Sequence, residues 1–161
     1  MEKYYTPELE EFHVGFEFES NYILFRKGNK GDEWNKHILT KENTWFWDAY
    51  ENDAIETEFR VKYLDTEDIE SFGWKRSSLL TSRRYSTVYF IESKPSYAHW
   101  TLEVTNLAKM KEDGKLSSDK EEINDVHIKF FHPDDASGQT VFFGTIKNKS
   151  ELNKLLKQLG I

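Results

Sequence analysis

The chain has no cysteine. That excludes disulfides, thiolate metal sites and cysteine nucleophiles, and it fits a reducing compartment. Proline is scarce, with three residues, and only eight glycines punctuate 161 positions. No glycine-rich phosphate loop is present: "GNKGDEWNK" has glycines but neither the spacing nor a strand-to-helix setting. Also missing are a nucleophile elbow, an HExxH helix and an EF-hand loop. Nucleophilic and nucleoside-triphosphate chemistry therefore have no recognisable carrier. The longest apolar runs span a few residues, far below the ~20 of a membrane helix, and "MEKYYTPELEEF" has no apolar signal core. These absences set the expectation of a cytoplasmic chain without a membrane partner and without a cofactor.

What is present is aromatic and acidic. Only 37% of residues are hydrophobic, yet 16% are aromatic. A Phe, Tyr or Trp can bury about 150–250 Å2, so few but large side chains can build a core despite 32% charged residues. The net charge of −7 is unevenly placed: residues 1–70 carry 18 acidic and 8 basic side chains (−10), and residues 71–161 carry 11 and 14 (+3). An acidic protein repels phosphate backbones at long range, which makes nucleic acid an unexpected partner. The local basic stretch "WKRSSLLTSRRY", with Trp74, Arg76, Arg83 and Arg84, is the one segment that could override this.

Alternation with period two dominates the pattern. In "FHVGFEFE", Phe12, Val14, Phe16 and Phe18 would share one face of a strand, followed by a second strand "YILFRK". "ETEFRVKYL" places Phe59, Val61 and Tyr63 inward; "STVYFIES" is apolar on both faces and reads as an interior strand. "AHWTLEVTN" alternates Trp100, Leu102 and Val104 with His99, Thr101 and Glu103. "DVHIKFFHP" and "QTVFFGTIK" form a last hairpin across "DDASG". Residues 109–124 read as a long polar connection.

Two helices are expected. "DTEDIESFGW" offers Asp65 or Thr66 as N-cap and Gly73 as its stop. In "NKSELNKLLKQLGI", Leu152, Leu155, Leu156 and Leu159 follow helical spacing, Asn148 and Glu151 form a capping pair, and Gly160 ends the helix. The expected fold is α+β, mainly β, in one domain over residues 1–161: about seven antiparallel strands in a bent sheet or barrel, with a C-terminal amphipathic helix.

Residues 43–53, "NTWFWDAYEND", are the leading candidate site. Read as a strand, Trp45 and Trp47 lie on one side, Phe46 and Asp48 on the other, so an aromatic stands exposed unless something covers the second face. The obvious cover is the Leu152–Leu159 stripe. Exposed, Trp45, Trp47 and Tyr50 would make a protein-binding hot spot, with Asp48, Glu51 and Asp53 steering a basic partner. Glu8, Glu10, Glu11, Glu17 and Glu19, with Glu56 and Glu58, extend the acidic surface.

A second candidate, of another class, is a metal-dependent or acid–base enzyme. His13, His99 and His127 fall on polar strand faces with Glu17, Glu19 and Glu103, and adjacent strands about 4.8 Å apart could bring them together. "HPDDASG" reads either as a hairpin turn or as an oxygen-rich cation loop.

The segments "YYTPELEEFHVGFEFES", "FRVKYLDTEDIESFGWK" and "GTIKNKSELNKLLKQLGI", about a third of the chain, resemble short uncharacterised proteins of Bacteroidota and their tailed phages. The resemblance implies a small cytosolic protein, a phage or prophage accessory factor without established activity, and it carries no functional residue across. Together these features favour a non-enzymatic protein-binding domain.

Overall fold

The computed structural model describes residues 4–22, 33–51, 54, 58–78, 85–92, 98–106, 110, 113–115, 125–132 and 137–161, apart from the side chains of Thr44, Trp47, Asp48 and Tyr50. The strand expected over "YILFRK" and most of the polar connection 109–124 lie outside these residues, as does most of the "DDASG" turn. The architecture is α+β and mainly β, with two open antiparallel sheets and no closed barrel among the described residues. No helix among them is long and apolar enough to cross a membrane.

The chain forms two compact units, Met1–Tyr63 with Asn148–Ile161, and Leu64–Lys147. The second is inserted into the first. Its entry and exit meet, because the Leu64 N–H donates to the Lys147 carbonyl at 2.8 Å. Adjacent ends let an insertion leave its host's chain path intact.

The first unit holds a sheet in the order β1-β4-β2-β3: β1 (Tyr4–Tyr5), β2 (Glu17–Ser20), β3 (Asn35–Ile38) and β4 (Phe59–Lys62). Alternation sorts its faces as period two requires. Phe18, Phe59 and Val61 point inward and are buried, whereas Glu19 and Arg60, paired across β2 and β4, point outward. The expectation for "ETEFRVKYL" holds at Phe59 and Val61. The expectation of one strand from Phe12 to Glu19 does not. A 3-10 helix (Leu9–Glu11) precedes it, and the Phe16 N–H closes a turn onto the His13 carbonyl at 2.9 Å. Gly15 takes φ +92° in that turn, a conformation at its third position that a side chain resists. Alternation therefore starts afresh at Glu17, and Val14 is left exposed instead of sharing a face with Phe16.

The larger departure is at "NTWFWDAYE". Thr44–Glu51 is an α-helix, α1, and not a strand. Trp45, Phe46 and Ala49 are spaced i, i+1, i+4, which gathers them on one helical side; Phe46 and Ala49 are buried and Trp45 packs partly buried beside them. The pattern that reads as alternation is the inward stripe of a helix.

In the second unit, α2 (Thr66–Ser71) starts as expected. The Asp65 carboxylate accepts from the Asp68 N–H at 3.0 Å and Asp68 returns the bond to the Asp65 N–H. A sheet follows in sequential order: β5 (Lys75–Arg76), β6 (Ser86–Glu92), β7 (His99–Thr105), β8 (Asp125–Phe131) and β9 (Gln139–Thr145). Its register puts Tyr89, Leu102, Ile128 and Phe142 side by side on one face; Tyr89, Leu102 and Ile128 are fully enclosed. The hydroxyls of Thr66 and Tyr89 are 2.9 Å apart, which seats α2 on this face.

The last helix, α3 (Lys149–Leu159), belongs to the first unit. Asn148 caps it, accepting from the Glu151 N–H at 2.9 Å, and Gly160 ends it at φ +72°. The same Asn148 side chain donates to the Tyr5 hydroxyl at 2.8 Å, and the Ser150 hydroxyl accepts from the Glu17 N–H at 2.9 Å. Cap and anchor are thus one residue. Asn148→Ala is expected to cost about 1–2 kcal/mol in urea unfolding, while Asn148→Ser, which keeps only the cap, recovers part of it. Wild-type stability in the alanine variant contradicts this role.

Candidate functional site

The aromatic stretch supplies core first. Phe46 lies 4.6 Å from Phe12 and 6.0 Å from Phe59 between ring centroids. Trp45 lies 5.0 Å from His37 and stacks toward Phe59 at 6.1 Å. Phe46 is therefore covered by Phe12, Phe18 and Phe59 of its own unit. Of the other expected contact residues, Glu51 is exposed. The side chains of Trp47, Asp48 and Tyr50, and Asp53 entirely, lie outside the described residues.

The outer face of the first sheet carries an ordered constellation. The Arg60 guanidinium sits 4.0 Å over the Tyr4 ring and 4.2 Å over the Trp34 ring, and binds the Glu19 carboxylate at 2.8 Å. Tyr4 donates to the other Glu19 oxygen at 3.4 Å. Glu19 is therefore neutralised inside the protein rather than offered to a partner. Stacking between two rings also fixes the planar guanidinium, which a lysine could not reproduce.

One corner of this unit is different. The Gly15 N–H donates to the Leu39 carbonyl and the Leu39 N–H to the Phe16 carbonyl, which extends the β2–β3 pairing by one residue beyond Glu17 and Ile38. Ile38 is also paired in register with Glu17. Val14 is 61% exposed and Ile38 57%, and Glu17 is exposed next to Ile38. Glu8 and Glu10 stand exposed on the 3-10 helix of the same unit, on either side of the partly exposed Leu9. Sequence reading missed Val14 and Ile38 because it assigned Val14 to a strand interior. The glycine directly after it is the signal of a turn.

The histidines occupy three separate settings. His13 belongs to the turn of the first unit, its Nδ1 3.1 Å from the Val14 carbonyl. His99, Glu103 and His127 do share one face of the five-stranded sheet, as alternation requires. His127 faces Glu103 across β7–β8, whereas His99 faces Phe131, four positions along. His99 stacks flat on Phe131 at 4.8 Å, and His127 is 2.9 Å from the Thr140 hydroxyl. Four residues of strand is about 13 Å, too far for one ion. No group of three His, Asp or Glu side chains that could hold a metal ion exists among the described residues. In the basic stretch Arg76 is exposed but Trp74 is buried; Arg83 and Arg84 lie outside the described residues.

Burial lowers the affinity of His37 for a proton, partly offset by a hydrogen bond with the Ser20 backbone. Its ring packs 5.4 Å from Phe18. Burial and the neighbouring Lys129 lower that of His127 as well, opposed by Glu103.

Among the described residues these features define an α+β protein, mainly β, with two antiparallel sheets. No protein-family model, no curated protein and no solved structure matches the chain.

A histidine whose folded pKa lies below its ordinary 6.5 contributes stability that is present above that value and lost as pH falls through the lower, folded one. The urea midpoint should therefore fall on acidification below about pH 6.5, and His37→Phe, which keeps the ring, should flatten that fall. An identical pH profile in the variant contradicts the assignment.

Proposed function

We propose that this chain is a non-enzymatic protein-binding module for a partner with a basic surface, in the setting of a phage-encoded accessory factor. The observation that carries the reading is that Val14 and Ile38, two large apolar side chains of this unit, are more than half exposed, and that Ile38 is paired with the exposed Glu17. Apolar residues with an acidic border suit a partner that brings aliphatic side chains ringed by Lys or Arg. The balance of −10 in residues 1–70 would steer such a partner toward this unit. The aromatic helix keeps a supporting part through Glu51, which is exposed, while Trp45 supplies the rigid core behind it.

No observation among the described residues favours the metal or acid–base alternative. The nucleic-acid reading rests on Arg76 alone among the residues described.

The test compares affinity capture by the wild type with capture by Ile38→Arg and Val14→Arg. Both positions are exposed, so melting temperatures should stay within a degree or two of wild type. The proteins expected to be lost from the variants are basic ones, and raising the salt should release them from the wild type. Capture of the same set by all three proteins would sink the proposal.

A further inference from the structure

Among the described residues the two sheets have four edges, and three of them are blunted. β1 and β5 are two residues long, and both residues of β5, Lys75 and Arg76, are charged and exposed. β3 has four residues and carries Lys36. Short edges and lysines are the devices by which proteins stop a neighbouring strand from adding. The fourth edge, β9, is seven residues long, "QTVFFGT", with no charge and no proline. It pairs with β8 on one side; among the described residues no strand pairs with its other side. Phe143, its fifth residue, is 69% exposed.

Its one irregularity is a bulge. Lys129 pairs with Thr140 and Ile128 with Phe142, so Val141 is an extra residue. A bulge disfavours addition where it occurs. Beyond it, Phe142–Thr145 runs in unbroken register with Ile128–Asp125, leaving a regular stretch available for pairing.

We infer that β9 is a self-association edge, and that its occupant is β9 of a second copy of this chain, added antiparallel about a two-fold axis at Phe143. Charge selects that occupant. The basic partner proposed above would find no carboxylate on β9, whereas two neutral strands meet without repulsion inside a chain of net charge −7. An antiparallel edge is also its own complement, as a two-fold interface requires. In this register Phe143 faces Phe143 across the axis, a cross-strand aromatic pair. Phe142 faces Gly144 of the second copy, and each chain's own Phe142 ring already lies over its Gly144. One pair of short edges buries less than the roughly 1,600 Å2 of a standard interface. The dimer should accordingly dissociate on dilution.

Sedimentation equilibrium over a dilution series should give a mass rising from 19.2 kDa toward twice that value. A monomer at every concentration overturns the inference. Phe143→Lys should abolish the rise while leaving the melting temperature unchanged, and a dimer that survives this change places the contact elsewhere. Since the chain has no cysteine, Phe143→Cys introduces a single thiol. Directly paired residues on neighbouring antiparallel strands have Cα atoms about 4.5–5.5 Å apart, within disulfide range. Mild oxidation should then yield a covalent dimer from Phe143→Cys and not from Glu92→Cys, a position also exposed, on β6. Equal yields from both contradict the register. None of these changes touches Val14 or Ile38, so failure here leaves the binding proposal standing, and the reverse also holds.

Discussion

The first unit is organised around one aromatic ring. Phe59 of β4 lies within 5.4–6.4 Å, centroid to centroid, of Phe18, Phe12, Phe46, Trp45 and Tyr22. These residues come from β2, the end of the 3-10 helix, α1 and the segment after β2. A chain that is only 37% hydrophobic cannot build its core from many small contacts. It concentrates burial in a few large rings, several of them in the tilted or edge-to-face arrangements that aromatic quadrupoles favour.

That constraint decides where a partner can bind. Once Trp45 and Phe46 are committed to Phe59, the segment richest in aromatics contributes packing through Trp45, Phe46 and Ala49. Glu19 is likewise committed, to Arg60 and Tyr4. Among the described residues of this unit, the large apolar side chains left exposed are Leu9, Val14 before the left-handed Gly15, and Ile38 at the end of a short strand. The binding proposal follows from what the core does not use.

Much of the fold is legible in the sequence. Strand β4 and the first half of β8 alternate because each presents one face to an interior, and β6, apolar on both faces in sequence, lies between β5 and β7. Both α2 and α3 announce themselves through caps, Asp65 with Asp68 and Asn148 with Glu151, which are local hydrogen bonds encoded at fixed spacing. The failure at α1 has a physical cause. Trp, Phe and Tyr favour strands on average, and Trp45, Trp47 and Phe46 imitate a period of two. The signal that outweighs this is Ala49, a small residue at helical distance from both Trp45 and Phe46, which is fully buried. The candidate site was less legible. Position along a strand shows which residues share a face, as for His99, Glu103 and His127, but not whether they meet along it.

The central claim is that the inward side of α1 is structural. It is tested most directly by Phe46→Ala, measured by urea unfolding against wild type. Removing a buried phenylalanine from a packed ring cluster should cost about 3–5 kcal/mol. A loss below about 1 kcal/mol, the range of a surface substitution, would mean that Phe46 is not core and would return the aromatic helix to the surface as the place where a partner docks.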